Sequence, residues 1–387
     1  MTTDLPDLLA LPSGWRASNA AEWTEQCRPH LLELVQREEY GVMPPVPGSV
    51  TFTVVRTDPA ALDGQATLRE IDIVTTAPDA HLELIVFTPN SLATPAPCFV
   101  GLNFGGNHRL ISDPLVRPSK AFAEGPTDEI DAARGTDTEK WPVGAIIERG
   151  YALATLHNGD AIPDDAGKAA ELLPSFTPPG VSPTGPEAPG ALACWAWTLS
   201  RAIDFLLSDP SIDPNRIALV GHSRNGKTAL LAAATDPRAA LVIPCQSGTG
   251  GVGPSRAIGE PLDVRETVAR INTIFPHWFC GNFKRYNDAT DQLPFDQHAM
   301  VALCAPRPLL LSSATDDLWA NPAGSLAMLQ AADPVYRLLG VGGIDIDSMS
   351  KPGELVASRL GHYIRNGDHR VTLEDWTAWM NFADVWL

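Results

Sequence analysis

Short apolar runs recur along most of the chain, and their spacing restricts the fold more than any other feature. Most of these runs are followed by a stretch of helical character. This alternation is typical of a parallel sheet joined by crossover helices. We therefore expect an α/β fold. The runs are Cys98–Leu102, Tyr151–Leu156, Ile217–Val220, Leu241–Pro244 and Leu309–Ser312.

Three strand-like segments come before this region, at Val50–Val55, Leu68–Thr75 and Leu82–Thr88. Their alternating pattern and β-branched content predict antiparallel strands at one edge of the sheet. Two polar stretches rich in proline and glycine, about 109–140 and 158–190, interrupt the parallel part. Each leaves the carboxyl end of a strand, where α/β folds place their sites. We interpret both as loop insertions that shape a cleft in a single domain spanning residues 1–387.

The charge and cysteine content narrow the classes of partner. A formal net charge of −18 argues against nucleic acid and anionic membrane. No apolar run reaches 18 residues, which predicts no membrane span, and the first residues lack the basic and apolar segments of a secretory signal. Localisation is therefore open. The six cysteines form no CxxC pair and several adjoin apolar runs, so we expect buried free thiols and no metal site.

The segment Arg216–Leu231 is the most informative part of the chain. Four apolar residues form a strand, Gly221–Gly226 forms a sharp turn, and an Ala- and Leu-rich helix begins at Lys227. A serine held between a strand end and a helix start presents its hydroxyl beside the amides of the helix N-terminus. Those amides can stabilise an oxyanion. The pattern predicts that Ser223 is a catalytic nucleophile.

Two other interpretations of this turn compete with the nucleophile. An ordinary glycine-rich turn between strand and helix explains the glycines but leaves the serine without a role. Residues Gly221–Thr228 also satisfy the bare phosphate-loop pattern G-x-x-x-x-G-K-[ST]. The later core strands do not end directly in the aspartate that would hold magnesium, so the nucleophile interpretation is preferred.

An activated serine requires a base and an orienting acid, in the chain order serine, acid, histidine for this type of fold. Of nine histidines, only His362 and His369 lie between the last core strand and the terminal helix. His362 sits within a strand-like segment, whereas His369 lies in a turn and is the predicted base. Asp316 and Asp317 follow the strand Leu309–Ser312, and Asp317 is the preferred acid, with Asp316 left open.

The segment Gly221–Lys227 resembles the G-C-S-R-x-G-K signature of carbohydrate esterase family 15, the glucuronoyl esterases. Further strings agree in the same order from about residue 95 to the end of the chain. They are Gly101–His108, Arg149–Thr155, Asn158–Asp160, Phe275–Phe279, Leu293–His298, Ala305–Pro308 and Asp317–Pro322.

The resemblance implies a single domain with the α/β-hydrolase fold, a three-layer α/β/α sandwich. It also implies a serine esterase that needs no metal or organic cofactor. Its substrates would be esters of 4-O-methyl-glucuronic acid that join xylan to lignin, which implies export from the cell, and we expect a monomer. Ser223 would be the nucleophile, His369 the base, and Arg224 a donor to the oxyanion. The remaining matches imply that the uronate sugar is bound by Lys227, Glu260 and Trp319, with His298 nearby.

Two positions depart from the family pattern. Many members carry the triad glutamate after the next strand, where this chain has Gln246. An amide cannot compensate the charge of an imidazolium, so the acid is expected on the later strand, at Asp317. His222 stands where the family has cysteine, and no role for it follows from the sequence.

Two other functions remain open at this stage. One is an esterase for another acyl group, such as acetyl; Arg224 and Lys227 argue against it, because acetyl offers little for two cations to bind. The other is a catalytically impaired relative that only binds carbohydrate, which Gln246 suggests. Hydrolysis of a glucuronate ester compared with an acetate ester separates all three.

Overall fold

A computed structural model describes residues 5–387 and contains one sheet of nine strands. The predicted strands are all present, and most are longer than predicted by up to several residues at their ends, although the strand predicted from Tyr151 begins at Ala152. The strands are β1 Ser49–Ala60, β2 Ala66–Thr76, β3 Ala80–Pro89, β4 Ala96–Asn103, β5 Ala152–His157, β6 Ile212–His222, β7 Leu241–Cys245, β8 Leu309–Ala314 and β9 Leu360–Arg365.

The strands lie in the order β1-β2-β3-β5-β4-β6-β7-β8-β9. The first three pair antiparallel, and β3 is antiparallel to β5. From β5 to β9 every neighbouring pair is parallel. The mostly parallel sheet with antiparallel N-terminal strands is therefore confirmed. Because parallel strands share one direction, the turns after β4 to β9 meet at one edge of the sheet.

Helices connect the strands and cover the sheet. In chain order they are α1 Ala20–Glu22, α2 Arg28–Val35, α3 Ala61–Gly64, α4 Lys120–Ala123, α5 Thr127–Ala133, α6 Val143–Glu148, α7 Ala166–Leu172, α8 Ala191–Ser208, α9 Arg224–Thr235, α10 Val268–Ile274, α11 His298–Cys304, α12 Pro322–Leu338 and α13 Leu373–Trp386. Single turns of 3₁₀-helix include Leu318–Ala320, which comes between β8 and α12.

Two apolar cores lie on opposite faces of the sheet. Successive residues of a strand point to opposite faces, and β6 shows this directly. Ile217 and Leu219 belong to the larger core, which is covered by α2, α8, α9, α11 and α12. Ala218 and Val220 belong to the smaller core, which is covered by α6 and α13. This arrangement is the three-layer α/β/α sandwich of the α/β-hydrolase fold.

The two expected insertions carry short helices. The stretch 109–140 contains α4 and α5, and 158–190 contains α7. A single domain spanning 1–387 stays a prediction. All six cysteines are buried and unpaired, as the sequence indicated. Within residues 5–387 the structure has no helix with the length and apolarity that a bilayer crossing requires.

Candidate active site

Ser223 occupies the turn between β6 and α9 in a strained backbone conformation, with φ 58° and ψ −126°. Side-chain-bearing residues adopt positive φ rarely, and such strain concentrates at functional sites. The two flanking glycines allow the turn because their backbones approach closely. A Cβ on Gly221 would lie 2.0 Å from the Asn225 carbonyl oxygen, and one on Gly226 would lie 2.9 Å from the Gly221 oxygen.

A cavity of about 270 Å³ opens beside Ser223. Its walls are mainly apolar and aromatic. They include residues of the larger core and of the smaller core, so side chains from both faces of the sheet contribute. His369 shares this cavity with Ser223, so the structure brings the predicted nucleophile and base to one site. The other lining residues are Leu102, Phe104, Lys140, Trp141, Val220, Gly221, His222, Arg224, Arg370, Val371, Trp376 and Trp379.

Asp317 orients the imidazole of His369. Its Oδ2 lies 2.7 Å from His369 Nδ1, and its side chain is only 2% exposed, against 37% for His369. Its Oδ1 accepts a hydrogen bond from the Ala320 amide at 3.2 Å. Asp316 is exposed, and its carboxylate accepts from the Thr315 hydroxyl. A buried carboxylate on Nδ1 leaves Nε2 free to act as a base, which is the arrangement of a serine-hydrolase triad.

The turn that carries His369 is held from within by Arg365, a residue for which the sequence predicted no role. Its buried guanidinium donates to the carbonyl oxygens of Asn366 and Asp368, both at 2.8 Å, and to that of Arg370. It also donates to the carboxylate of Asp375 at 2.7 Å. A rigid planar donor that binds three carbonyls fixes the shape of the turn. An arginine at the end of a buried strand is the signal that could have identified it.

Arg224 reaches the cavity and is fixed in place by Asp164. The two side chains form an ion pair. Asp164 Oδ1 also accepts from the indole of Trp278 at 2.8 Å and lies 3.0 Å from His277 Nε2. Burial alone would raise the pKa of Asp164, but the hydrogen bond to His277 and the charge of Arg224 outweigh burial and lower the pKa to about 2. The anion therefore persists at neutral pH and orients Arg224.

Three aromatic rings complete the surroundings of Arg224. Its Cζ lies 4.6 Å from the ring centroid of Trp278, 5.0 Å from that of Phe275 and 5.6 Å from that of Phe104. Cation–π contacts of this kind hold a guanidinium while leaving part of its edge free. With 28% of its side chain exposed, Arg224 can still donate to a ligand. Neither Asp164 nor the rings had a predicted role.

Glu260 and Trp319 lie on two loops that are bound to each other. The Glu260 amide donates to Asn321 Oδ1 at 2.8 Å, and the Glu266 amide donates to the Trp319 carbonyl at 2.9 Å. The indole of Trp319 is 37% exposed, and the Arg270 guanidinium lies over it at 5.9 Å. Trp319 follows Asp317, the partner of the His369 imidazole, by two residues. Neither Glu260 nor Trp319 lines the cavity, and their sugar contacts stay a prediction.

Lys227 is buried, and its contact with the uronate sugar stays a prediction. Its side chain is 3% exposed, and it does not line the cavity. Its Nζ donates to the Ser247 carbonyl at 2.6 Å, the Thr249 carbonyl at 2.7 Å and Glu266 Oε2 at 2.7 Å. An ammonium has three N–H groups, and all three are used within the protein. Lys227 therefore holds the residues around it together, and a sugar could bind its Nζ only by displacing one of these hydrogen bonds.

His298 is bound to the N-terminal segment of the chain. It is the first residue of α11, it is buried, and its Nε2 lies 2.9 Å from the Pro6 carbonyl oxygen. The helix α11 packs against α9 and α12 in the larger core. Its imidazole therefore joins the N-terminal segment to that core. His298 does not line the cavity at Ser223, and a place near the substrate stays a prediction.

Among residues 5–387, the structure contains one group with ligand atoms close enough to hold a metal ion: Asp72, His81 and Glu83. The guanidinium of Arg117 donates to Asp72 at 2.8 Å and lies 3.9 Å from a Glu83 oxygen. The positive charge that these carboxylates face is therefore supplied by Arg117. None of the three residues lines the cavity at Ser223.

Comparisons with known proteins point to one family. Residues 184–340 match the family model described as glucuronyl esterase, fungi. A carbohydrate esterase from an unknown prokaryotic organism is 38% identical over 389 residues, covering 98% of this chain and 89% of the relative. The 4-O-methyl-glucuronoyl methylesterase of Schizophyllum commune is 29% identical, covering 87% of this chain and 74% of that enzyme.

Solved structures extend the agreement to the whole fold. A promiscuous family 15 esterase from a marine bacterial metagenome is 37% identical with a TM-score of 0.88, covering 100% of this chain and 98% of that chain. The glucuronoyl esterase of Solibacter usitatus is 36% identical with the same TM-score, covering 99% and 98%. The chain belongs to carbohydrate esterase family 15, the glucuronoyl esterases, and is a serine ester hydrolase of the α/β-hydrolase fold.

Proposed function

We propose that this chain cleaves esters of 4-O-methyl-glucuronic acid in which the uronate belongs to xylan and the alcohol to lignin. The observation that supports this most is the meeting of three features at one cavity: the strained Ser223, the Asp317–His369 pair and the fixed guanidinium of Arg224. Relatives named as 4-O-methyl-glucuronoyl methylesterases agree with this substrate.

The proposed reaction has two steps. Ser223 Oγ attacks the ester carbonyl carbon while His369 accepts the hydroxyl proton, and Asp317 stabilises the imidazolium. Arg224 and amides at the start of α9 stabilise the oxyanion, and collapse of the intermediate breaks the bond to the alcohol, which leaves with the proton from His369. Water, activated by His369, then hydrolyses the ester between Ser223 and the uronate. No step requires a metal or organic cofactor.

The two sides of the substrate would meet different surfaces. The leaving alcohol must lie near His369, which protonates it, and there the cavity has the aromatic walls Trp141, Trp376 and Trp379. An aromatic alcohol suits such walls. The uronate would lie toward Trp319 and Glu260, where an exposed indole can stack on a sugar face. Lys227 would support this surface indirectly, through Glu266 and its bond to the Trp319 backbone.

The test compares benzyl glucuronate, methyl glucuronate and an aryl acetate with the purified wild type and Ser223→Ala. We expect Ser223-dependent hydrolysis of both glucuronates, faster for benzyl, and a lower kcat/KM for the acetate. A higher kcat/KM for the acetate would mean that the enzyme serves another acyl group. Binding of glucuronoxylan without hydrolysis of any ester would mean a catalytically impaired relative. The monomer is proposed separately and is tested by sedimentation.

A further inference from the structure

His222 and Gln246 have no role in the mechanism above, yet both lie against the turn that carries His369. His222 Nε2 is 3.3 Å from Gln246 Oε1. Gln246 Nε2 donates to the Arg370 carbonyl oxygen at 2.9 Å. The backbone of Gln246 is fixed as well, because its amide donates to the Ser312 carbonyl at 2.8 Å. These bonds form a continuous bridge from the end of β6, through the end of β7, to the residue after His369.

The chemistry of the bridge determines its donors. A carbonyl oxygen only accepts hydrogen bonds, so Gln246 presents its NH₂ group to Arg370 and its Oε1 to His222. His222 must then donate from Nε2–H, which fixes its tautomer. A glutamate at position 246 could accept from His222 but, when ionised, would place an oxygen against the Arg370 carbonyl. The amide is therefore the side chain that joins both neighbours.

The ring of His222 also packs on the catalytic imidazole. Its centroid lies 4.5 Å from that of His369 at an interplanar angle of 41°, and Phe104 lies 6.4 Å away on an edge-to-face contact. Burial lowers the pKa of His222 to about 3, and the charges of His369, Arg365 and Lys140 act in the same direction. His222 therefore stays neutral while His369 gains its proton during the reaction.

We propose that His222 and Gln246 are positioning residues that tie the His369 turn to the nucleophile strand. Arg365 fixes the shape of that turn from its own strand, β9. The bridge fixes its distance from β6, the strand that ends at Ser223. Two neutral side chains thus help to set the distance between the imidazole of His369 and the hydroxyl of Ser223. The proposal rests on the roles of Ser223 and His369 given above.

Four variants test this on a glucuronate ester: His222→Phe, Gln246→Leu, their double mutant, and the control His362→Phe. The first two should each lower kcat by about tenfold and change KM by less than about twofold, because a misplacement of 1 Å can cost up to about 10²-fold. The double mutant should be no slower than the slower single mutant, since both changes break one bridge. His362 is buried on β9 and bonds Ser350 Oγ at 2.8 Å, so His362→Phe should lower the melting temperature and keep wild-type kcat.

Gln246→Glu supplies a readout that a loss of stability would not give. At pH 8 the introduced carboxylate repels the Arg370 carbonyl, and kcat should fall to about one-tenth of wild type or less. As pH falls and this carboxylate gains a proton, its hydroxyl can donate to that carbonyl, so the ratio of variant to wild-type kcat should rise toward one. A constant ratio, independent losses that multiply in the double mutant, or wild-type kcat in both single mutants would overturn the proposal. Wild-type and Ser223→Ala rates report separately on the proposed function.

Discussion

Two cations stand three residues apart at the start of α9, and the structure uses them differently. Arg224 belongs to a front cluster with Ser223, Asp164, Asp317 and His369; its side chain is 28% exposed. Lys227 belongs to a rear cluster that contains Glu266, Glu39 and Gln297. It is 3% exposed, and its three N–H groups are bonded.

The difference teaches that a charge in a motif does not define a role. What separates the clusters is whether the donors have partners within the protein. A buried and fully bonded cation has no donor left for a ligand, and its removal leaves a buried partner unpaired, whereas a partly exposed cation can exchange water for a ligand. We therefore expect changes in the front cluster to act on kcat and changes in the rear cluster to act on stability.

Asp317→Asn should have the largest effect on kcat. The asparagine keeps the shape but loses the charge that stabilises the imidazolium of His369, and a comparable change in a serine protease costs about 10⁴-fold. Asp316→Asn is the matched control, because its exposed carboxylate faces no imidazole, and its kcat should stay within about twofold of wild type. Steady-state kinetics on one glucuronate ester measure kcat for both variants. If Asp317→Asn keeps nearly the wild-type kcat, Asp317 does not stabilise the imidazolium of His369.

Arg224→Ala comes next, with an expected loss of about 10²–10³-fold in kcat, the cost of one lost oxyanion donor. Its melting temperature should change little because the side chain is partly exposed. Arg285→Ala is the control: Arg285 pairs with Glu38, is 59% exposed, and should keep wild-type kcat. If Arg224→Ala lost activity only in proportion to a fall in its melting temperature, Arg224 would have a structural role like that proposed for Lys227.

Lys227→Met should act mainly on the free energy of unfolding. It leaves the buried carboxylate of Glu266 unpaired, and breaking such a pair costs about 3–5 kcal/mol. Well below the melting temperature, kcat should fall by less than about tenfold. Adding Glu266→Gln should restore part of the stability, because no buried charge is then unpaired. Wild-type stability with a KM raised only for glucuronate esters would show instead that Lys227 binds the sugar.

Glu39→Gln should leave kcat unchanged and alter only the pH dependence of stability. Burial raises the pKa of Glu39 from 4.5 to about 8, so the folded protein keeps a proton that the unfolded chain releases above about 4.5. The stability from this proton is full below about pH 4.5 and is lost as pH rises to about 8. The amide of the variant has no such proton, so the slope of stability in this window should decrease. Urea titrations at several pH values measure it, and an unchanged slope would contradict the raised pKa.

Features that depend on residues close together in the sequence could be predicted from the sequence alone. Apolar runs located the parallel strands, and the turn at Ser223 needed only its own glycines, since strand and helix meet within six residues. His362 was expected to be packed in a strand, and it is fully buried in β9. The Asp317–His369 pair follows from the rule that parallel strands end at one edge of the sheet.

Distant partners could not be predicted. Arg224 is fixed by Asp164, sixty residues earlier in an irregular loop, and by the indole of Trp278. The burial of Lys227 could not be predicted either, because its bonds to residues 247, 249 and 266 leave no pattern in the sequence. The same holds for His298, whose partner is a backbone carbonyl 292 residues away.

The six buried thiols make the protein convenient to label. Burial raises the pKa of every one of them, and only the thiolate reacts readily with maleimides. A cysteine placed at the exposed turn residue Ser91 would therefore be the one reactive sulfur on the folded chain. A fluorophore attached there could follow adsorption to insoluble glucuronoxylan without any native cysteine being replaced.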